Sequence, residues 1–191
     1  MTLFRCASAF LLAVSFASAQ TDKSFPTDDE INLVLTQTDR AVQQYKPLID
    51  QEQNQVGSSA KDAVAKDRQV VEALELAVKR FKSQPQGFSS PLGFAFFQWL
   101  DDASRNSVLC GSDAMTEAAK QITQGNIKKA DSLIHLAQSC TEVSALIDTV
   151  SENAGALYQR YVAGMAQLAD QATEAAQKCV EVLKKNGVQP K

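Results

Sequence analysis

The chain has little of the chemistry that most catalytic sites need. Its single histidine, His135, stands between Ile134 and Leu136 in a helical pattern, so the paired Glu-x-x-His motifs of di-iron bundles are excluded. The motifs of covalent haem, phosphate-binding loops and nucleophile elbows are also missing. A Ser-His-Asp or Cys-His site would have to use His135. We therefore expect no catalytic, cofactor-binding or metal-binding residues, and a protein that is not an enzyme.

The sequence also lacks an excess of basic residues and a second long apolar run. It has 19 basic and 22 acidic residues, which gives a net charge of −3, whereas nucleic-acid-binding proteins usually present a basic surface. Beyond the N-terminal region, no apolar stretch reaches the roughly 20 residues of a membrane-spanning helix. We therefore predict no nucleic-acid partner and no membrane span in the mature protein.

The first nineteen residues have the pattern of a cleaved signal peptide. A positive charge at Arg5 precedes the apolar run Ala9–Ala17, and the small residues Ala17 and Ala19 mark a cleavage site. We predict that residues 1–19 are removed and that residues 20–191 form one domain of a secreted or periplasmic protein. The pattern does not distinguish bacterial periplasm from eukaryotic secretion.

Glycine and proline are scarce, at eight and five residues, and apolar residues recur at spacings of three, four and seven. This pattern favours an all-α, single-domain antiparallel bundle of about five helices. Thr27-Asp28-Asp29-Glu30 resembles a capping box and predicts the start of the first helix. Pro47 lies within that helix, yet the apolar phase continues on both sides, which predicts a kink rather than a loop.

The predicted helix that starts at Ser90-Pro91 is apolar around most of its circumference. Its main arc consists of Leu92, Ala95, Phe96, Trp99, Leu100 and Ala103. Such a helix is usually the buried centre of a bundle, and the alternative is an exposed binding surface. Together with two later tyrosines, the aromatic residues form a candidate apolar pocket: Phe94, Phe96, Phe97, Trp99, Tyr158 and Tyr161.

The second half of the chain predicts a short helix over 112–123, followed by a helical hairpin at Gly125-Asn126. Heptad phase then continues from Leu133 to Val182. A single helix from the hairpin to the end of this range would be roughly 90 Å long at 1.5 Å per residue. We therefore expect a turn near Asn153–Gly155, although the unbroken phase favours a continuous helix.

Three cysteines follow the predicted signal peptide: Cys110, Cys140 and Cys179. Cys110 and Cys140 are each fifteen residues from Gly125, so a hairpin at Gly125 places them opposite each other. In an oxidising compartment this arrangement predicts a disulfide worth roughly 3 kcal/mol. Cys179 is then left as a buried thiol or, alternatively, as the site of an intermolecular disulfide in a homodimer.

Three functional hypotheses from different classes are compatible with these patterns. The first is a non-catalytic bundle that binds a protein or a component of the cell envelope. The second is a carrier of a small apolar ligand, held in a cavity among the candidate pocket residues. The third and most remote is a hydrolase whose catalytic groups are far apart in sequence.

Overall fold

The computed structural model describes residues 25–85, 88 and 91–187. Within these ranges it contains no strand, one 3₁₀ turn (Gly57–Ala60) and four α-helices: α1 (Asp28–Gln55), α2 (Lys61–Ser83), α3 (Pro91–Thr123) and α4 (Ile127–Lys185). The all-α prediction is confirmed, with four helices instead of about five. The predicted signal peptide lies outside the described residues. In the described part of the chain, none of the helices is sufficiently long and apolar to span a membrane.

Helix α1 begins at the predicted capping box. The Glu30 amide donates to Thr27 Oγ1 at 3.2 Å, and the Thr27 amide donates to Glu30 Oε2 at 2.8 Å. The helix continues through Pro47, and Tyr45, Leu48 and Ile49 around that residue are all buried. The apolar phase therefore survives the proline, and no loop interrupts α1.

Two predicted interruptions are wrong. The separate helix over 112–123 is part of α3, which is continuous over Pro91–Thr123, and Gly111 lies inside it beside α4. A Cβ atom at Gly111 would lie 3.4 Å from the Ala137 carbonyl oxygen. The expected turn at Asn153–Gly155 is also absent from α4, where Ala154 is fully buried and the heptad phase is kept.

The hairpin between α3 and α4 is confirmed at Gly125-Asn126. Gly125 has φ of +77°, a left-handed conformation that favours glycine. The Gly125 amide donates to the Ile122 carbonyl at 3.0 Å, and the Asn126 amide donates to the Gln121 carbonyl at 2.8 Å. Asn126 Nδ2 also donates to Gln121 Oε1 at 2.9 Å. These bonds satisfy the last carbonyl groups of α3 and reverse the chain.

The segment Thr27–Tyr158 forms one compact unit, an antiparallel bundle of α1, α2, α3 and the first half of α4. Ion pairs join α1 to α2 in antiparallel order, from Asp39–Lys82 to Asp50–Arg68. Helix α4 runs antiparallel to α1, since Gln55 contacts Ser132 whereas Gln37 contacts Asn153. The core consists of buried aliphatic and aromatic residues from all four helices.

The described part of the second compact unit consists of Phe25, Pro26 and the part of α4 that begins at Gln159. The ring of Phe25 packs edge-to-face on Tyr161 with centroids 5.6 Å apart, and Arg160 Nη2 donates to the Phe25 carbonyl at 3.3 Å. A Cβ at Gly164 would lie 2.7 Å from the Phe25 ring. The glycine therefore makes room for this contact.

Candidate functional site

Five aromatic rings meet at one end of the bundle, and we call them the aromatic cluster: Phe81, Phe88, Phe96, Phe97 and Tyr158. Neighbouring rings pack edge-to-face with centroids between 5.1 and 6.2 Å apart, the range that aromatic pairs prefer. Gly93 has no side chain and leaves room for the carbonyl group of Phe88. The rings therefore pack directly on one another.

The six candidate pocket residues have different surroundings. Phe96, Phe97 and Tyr158 belong to the aromatic cluster, and Trp99 is half-buried against the core. Phe94 is 53% exposed, whereas Tyr161 belongs to the second unit and packs on Phe25. The prediction that this helix forms the buried centre of the bundle is correct at Phe96, Leu100 and Ala103, which have almost no solvent exposure. The same helix, α3, also has an exposed face.

Farther along the same bundle, the interior is polar. We call this second group the acid cluster: Tyr45, Glu52, Asp67 and Asn106. Tyr45 Oη donates to Asp67 Oδ2 at 2.9 Å, and the Asn106 side chain also hydrogen-bonds to Asp67. Glu52 is only 1% exposed, and among the described residues its two carboxyl oxygens and Asp67 Oδ1 have no hydrogen-bond partner.

Burial changes the acidity of each titratable group in the acid cluster. Burial, together with the charges of Asp67 and Asp113, raises the pKa of Glu52 to about 7. Burial also raises the pKa of Asp67, which the hydrogen bonds from Tyr45 and Asn106 oppose. The pKa of the Tyr45 hydroxyl is raised by burial and by the neighbouring Asp67. Glu52 is thus the member whose charge changes near neutral pH.

The acid cluster was not predicted from the sequence, although the positions of its two carboxylates indicate it. Glu52 is three residues after Ile49, and Asp67 is three residues after Val64, so both carboxylates occupy positions in the apolar phase of their helices. Charged residues at such positions are rarely fully buried unless they are paired. An acid in the core phase is therefore a sign of a buried polar site.

A groove of about 560 Å³ opens between α3 and α4 on the bundle surface. Its α3 wall uses one helical face at spacings of three, four and seven: Val108, Gly111, Ser112 and Met115. The facing wall comes from the first half of α4: Ala137, Gln138, Thr141, Ser144, Ala145 and Asp148. The groove therefore combines small and apolar side chains with a few hydroxyl and amide groups and one carboxylate.

The polar end of the groove is ordered by a hydrogen-bond network. Ser104 Oγ donates to Asp148 Oδ1 at 2.5 Å and lies 3.3 Å from Ser144 Oγ. Ser107 Oγ donates to the Ser104 carbonyl at 2.7 Å. Because Ser104 holds it in place, the Asp148 carboxylate supplies a fixed negative charge at this end of the groove.

The groove is bordered by exposed apolar side chains along α3, and we call them the α3 strip: Val108, Met115 and Ile122. Their spacing of seven residues keeps them on one face, and each is 50–56% exposed. From Val108 to Ile122 the strip is about 21 Å long at 1.5 Å per residue. The groove and the strip together form a surface about four helical turns in length.

The predicted disulfide between Cys110 and Cys140 is confirmed. Both cysteines are buried, and their Cα atoms are 6.3 Å apart. The bond joins α3 to α4 directly behind the groove, because Gly111 in the groove wall follows Cys110. It therefore fixes the two walls at the point where they are closest.

The remaining residues singled out from the sequence lie apart from the groove. His135 is exposed, and its Nε2 lies 3.9 Å from Asp131 Oδ2 on the same helix. Cys179 is a free, half-buried thiol in the second unit. In the described part of the chain, no group of three or more His, Cys, Asp or Glu residues is arranged to hold a metal ion.

The fold and this surface define an all-α antiparallel bundle with an open groove between its last two helices. The chain matches no protein-family model, no curated protein and no solved structure.

Proposed function

We propose that this protein works by binding a partner protein in the groove between α3 and α4 and along the α3 strip. The observation that carries the proposal is the continuity of the two features. The groove at Gly111 and Met115 leads into exposed apolar side chains as far as Ile122. A contiguous apolar surface of this kind commonly marks an interaction site.

The shape of the surface favours an amphipathic helix of the partner as the bound element. Helices dock in grooves by placing apolar side chains at spacings of three, four and seven, which matches a straight strip about four turns long. Asp148 adds a fixed negative charge at one end. The partner helix should therefore have an apolar face with a basic or hydrogen-bond-donating residue near one end.

We place this activity outside the cytoplasm, in a secreted or periplasmic setting, without catalysis or a cofactor. The sequence pattern of residues 1–19 supports export, and the Cys110–Cys140 disulfide suits an oxidising compartment. The partner is then another exported protein or a component of the cell envelope.

A photo-crosslinking amino acid at position 115 tests this assignment in cells that export the full chain. We expect a discrete heavier adduct, since Met115 lies in the groove wall, and we expect Val108→Asp to remove it. Position 76 is the matched control, because Leu76 is an exposed apolar residue on α2. Equal adducts from positions 76 and 115, or an adduct that persists in Val108→Asp, would contradict the assignment.

A small apolar ligand is the second candidate, because the groove volume falls within the usual range for ligand pockets, about 300–1,000 Å³. An apolar fluorescent dye such as N-phenyl-1-naphthylamine should then bind the purified protein with a gain in emission. Met115→Asp should abolish that gain, whereas Leu76→Asp should not. The hydrolase hypothesis is left with only His135, which is exposed beside Asp131.

We also propose that the protein forms a homodimer linked through Cys179. Cys179 is half-buried and free, and it lies in the heptad stripe of α4 with Met165, Leu168 and Val182, which are all exposed. Non-reducing electrophoresis of the exported protein should show a dimer band that disappears in Cys179→Ser. A monomer under these conditions would exclude the linked dimer and leave the groove proposal intact.

A further inference from the structure

Acidic groups from three different helices act on one another around Glu52. Glu52 of α1 interacts electrostatically with Asp67 of α2 and Asp113 of α3, and α1 packs against both of those helices. Tyr45, on the same helix as Glu52, donates its hydroxyl to Asp67. Among the described residues of α4, no charged group contributes to the pKa of Glu52. Among the described residues, the charged groups that act on Glu52 therefore all carry its own charge sign, and the Tyr45 hydroxyl is already bonded to Asp67.

The two central carboxyl groups are in very different situations. Asp67 accepts hydrogen bonds from Tyr45 and Asn106, and bonds of this kind stabilise a buried carboxylate. Both oxygens of Glu52 are buried without a hydrogen-bond partner among the described residues. A buried carboxylate with no counterion and no donor is strongly disfavoured, so such a group binds a proton instead.

We propose that Glu52 is a protonation switch: its neutral form permits close packing of α1 on α2 and α3, and its ionisation weakens that packing and loosens the bundle. A protonated Glu52 brings a hydrogen-bond donor into a cluster where Asp67 Oδ1 is an acceptor without a partner. An ionised Glu52 adds a negative charge beside Asp67 and Asp113. The switch therefore acts on the contact among three helices.

The direction of the pH effect follows from the two states of the chain. In the folded protein the pKa of Glu52 is about 7, against an ordinary value of 4.5 that exposure on unfolding restores. Between these values the folded protein holds a proton that the unfolded chain releases, so stability is highest at low pH and falls as the pH rises towards 7. The unfolding equilibrium constant should increase roughly 50- to 100-fold between pH 5 and pH 8.

Denaturant unfolding of the full chain at pH 5, 6, 7 and 8 tests the proposal. The wild type should lose most of this stability between pH 5 and pH 7 and little more between pH 7 and pH 8. Glu52→Gln should lose most of the pH dependence, because its amide cannot ionise and has nearly the same shape. Glu142→Gln is the control, since Glu142 is an exposed residue of α4, and it should follow the wild type. A wild type with constant stability, or a Glu52→Gln variant with the wild-type slope, would overturn the proposal.

A measurement on the unaltered protein covers the case in which Glu52→Gln fails to fold. With ¹³C-labelled glutamate side chains, one carboxyl resonance of the folded wild type should titrate near pH 7. If every glutamate resonance in the folded protein titrates below about pH 5, Glu52 is ionised at neutral pH and the switch does not exist.

Discussion

The aromatic cluster and the acid cluster belong to the same bundle, but they are built on opposite physical principles. At one end, rings from α2, α3 and α4 pack in edge-to-face contacts, and Tyr158 is the one member of the aromatic cluster with a titratable side chain. At the other, Glu52 and Asp67 are buried with three oxygen atoms unpartnered among the described residues. The same helices therefore carry a region stabilised by packing and a region whose stability depends on bound protons.

This difference implies that stability is distributed unevenly along the bundle. Apolar and aromatic burial depends little on pH, whereas a buried acid contributes only in the protonation state that its surroundings favour. The α3–α4 groove lies against the disulfide and the Ser104–Asp148 network, so its two walls are joined covalently and by hydrogen bonds. A change of pH should thus act first on α1 and its neighbours.

The largest effect should come from Phe96→Ala in the aromatic cluster. Phe96 is fully inaccessible and contacts Phe81, Phe88 and Phe97, so truncation should cost about 3–5 kcal/mol, as for other large aromatic residues in cores. The loss, measured by denaturant unfolding, should be the same at pH 5 and pH 8.

Phe94→Ala is the matched control for that substitution, because Phe94 lies on the same helix but is largely exposed. It should change the free energy of unfolding by less than about 0.5 kcal/mol. A comparable loss for both variants would show that the exposed face of α3 is covered in solution.

A smaller effect should come from Tyr45→Phe in the acid cluster. The substitution keeps the ring but removes the hydroxyl that donates to Asp67 Oδ2, which leaves this buried carboxyl group with one donor fewer. Such a loss costs about 1–3 kcal/mol. Because Asp67 is then less well stabilised as an anion, the cost should be greater at pH 8 than at pH 5. Equal costs at the two values would mean that the charge of Asp67 does not change across this range.

Local sequence patterns were sufficient to predict most of the fold. The capping box at Thr27 and Glu30 involves residues three apart, and the hairpin requires only a glycine that can adopt a positive φ at Gly125. The disulfide follows from the symmetry of Cys110 and Cys140 about that turn. Each of these features depends on a few neighbouring residues or on one chain reversal.

The features that were not predicted from the sequence depend on how the helices pack against one another. Gly111 is a poor helix former, but in the fold it lies inside α3 with Ala137 of α4 opposite. Glu52 and Asp67 resemble surface charges until three helices close over them. The groove likewise exists only where the facing sides of α3 and α4 meet. None of these can be derived from the pattern of a single helix.

The last prediction concerns the fluorescence of Trp99, the single tryptophan, which lies towards the aromatic end of the bundle. It is half-buried and packs against the core, so its emission should be intermediate between that of a buried and that of a solvated indole, with partial quenching by iodide. Trp99→Ala should cost less than the roughly 3–5 kcal/mol of a fully buried aromatic residue. Under native conditions the emission maximum should stay constant between pH 5 and pH 8, because Trp99 lies near the aromatic cluster and Glu52 does not. An emission shift with a midpoint near pH 7 that disappears in Glu52→Gln would show instead that loosening at the acid cluster reaches the aromatic cluster, and the two regions would then respond to pH as one.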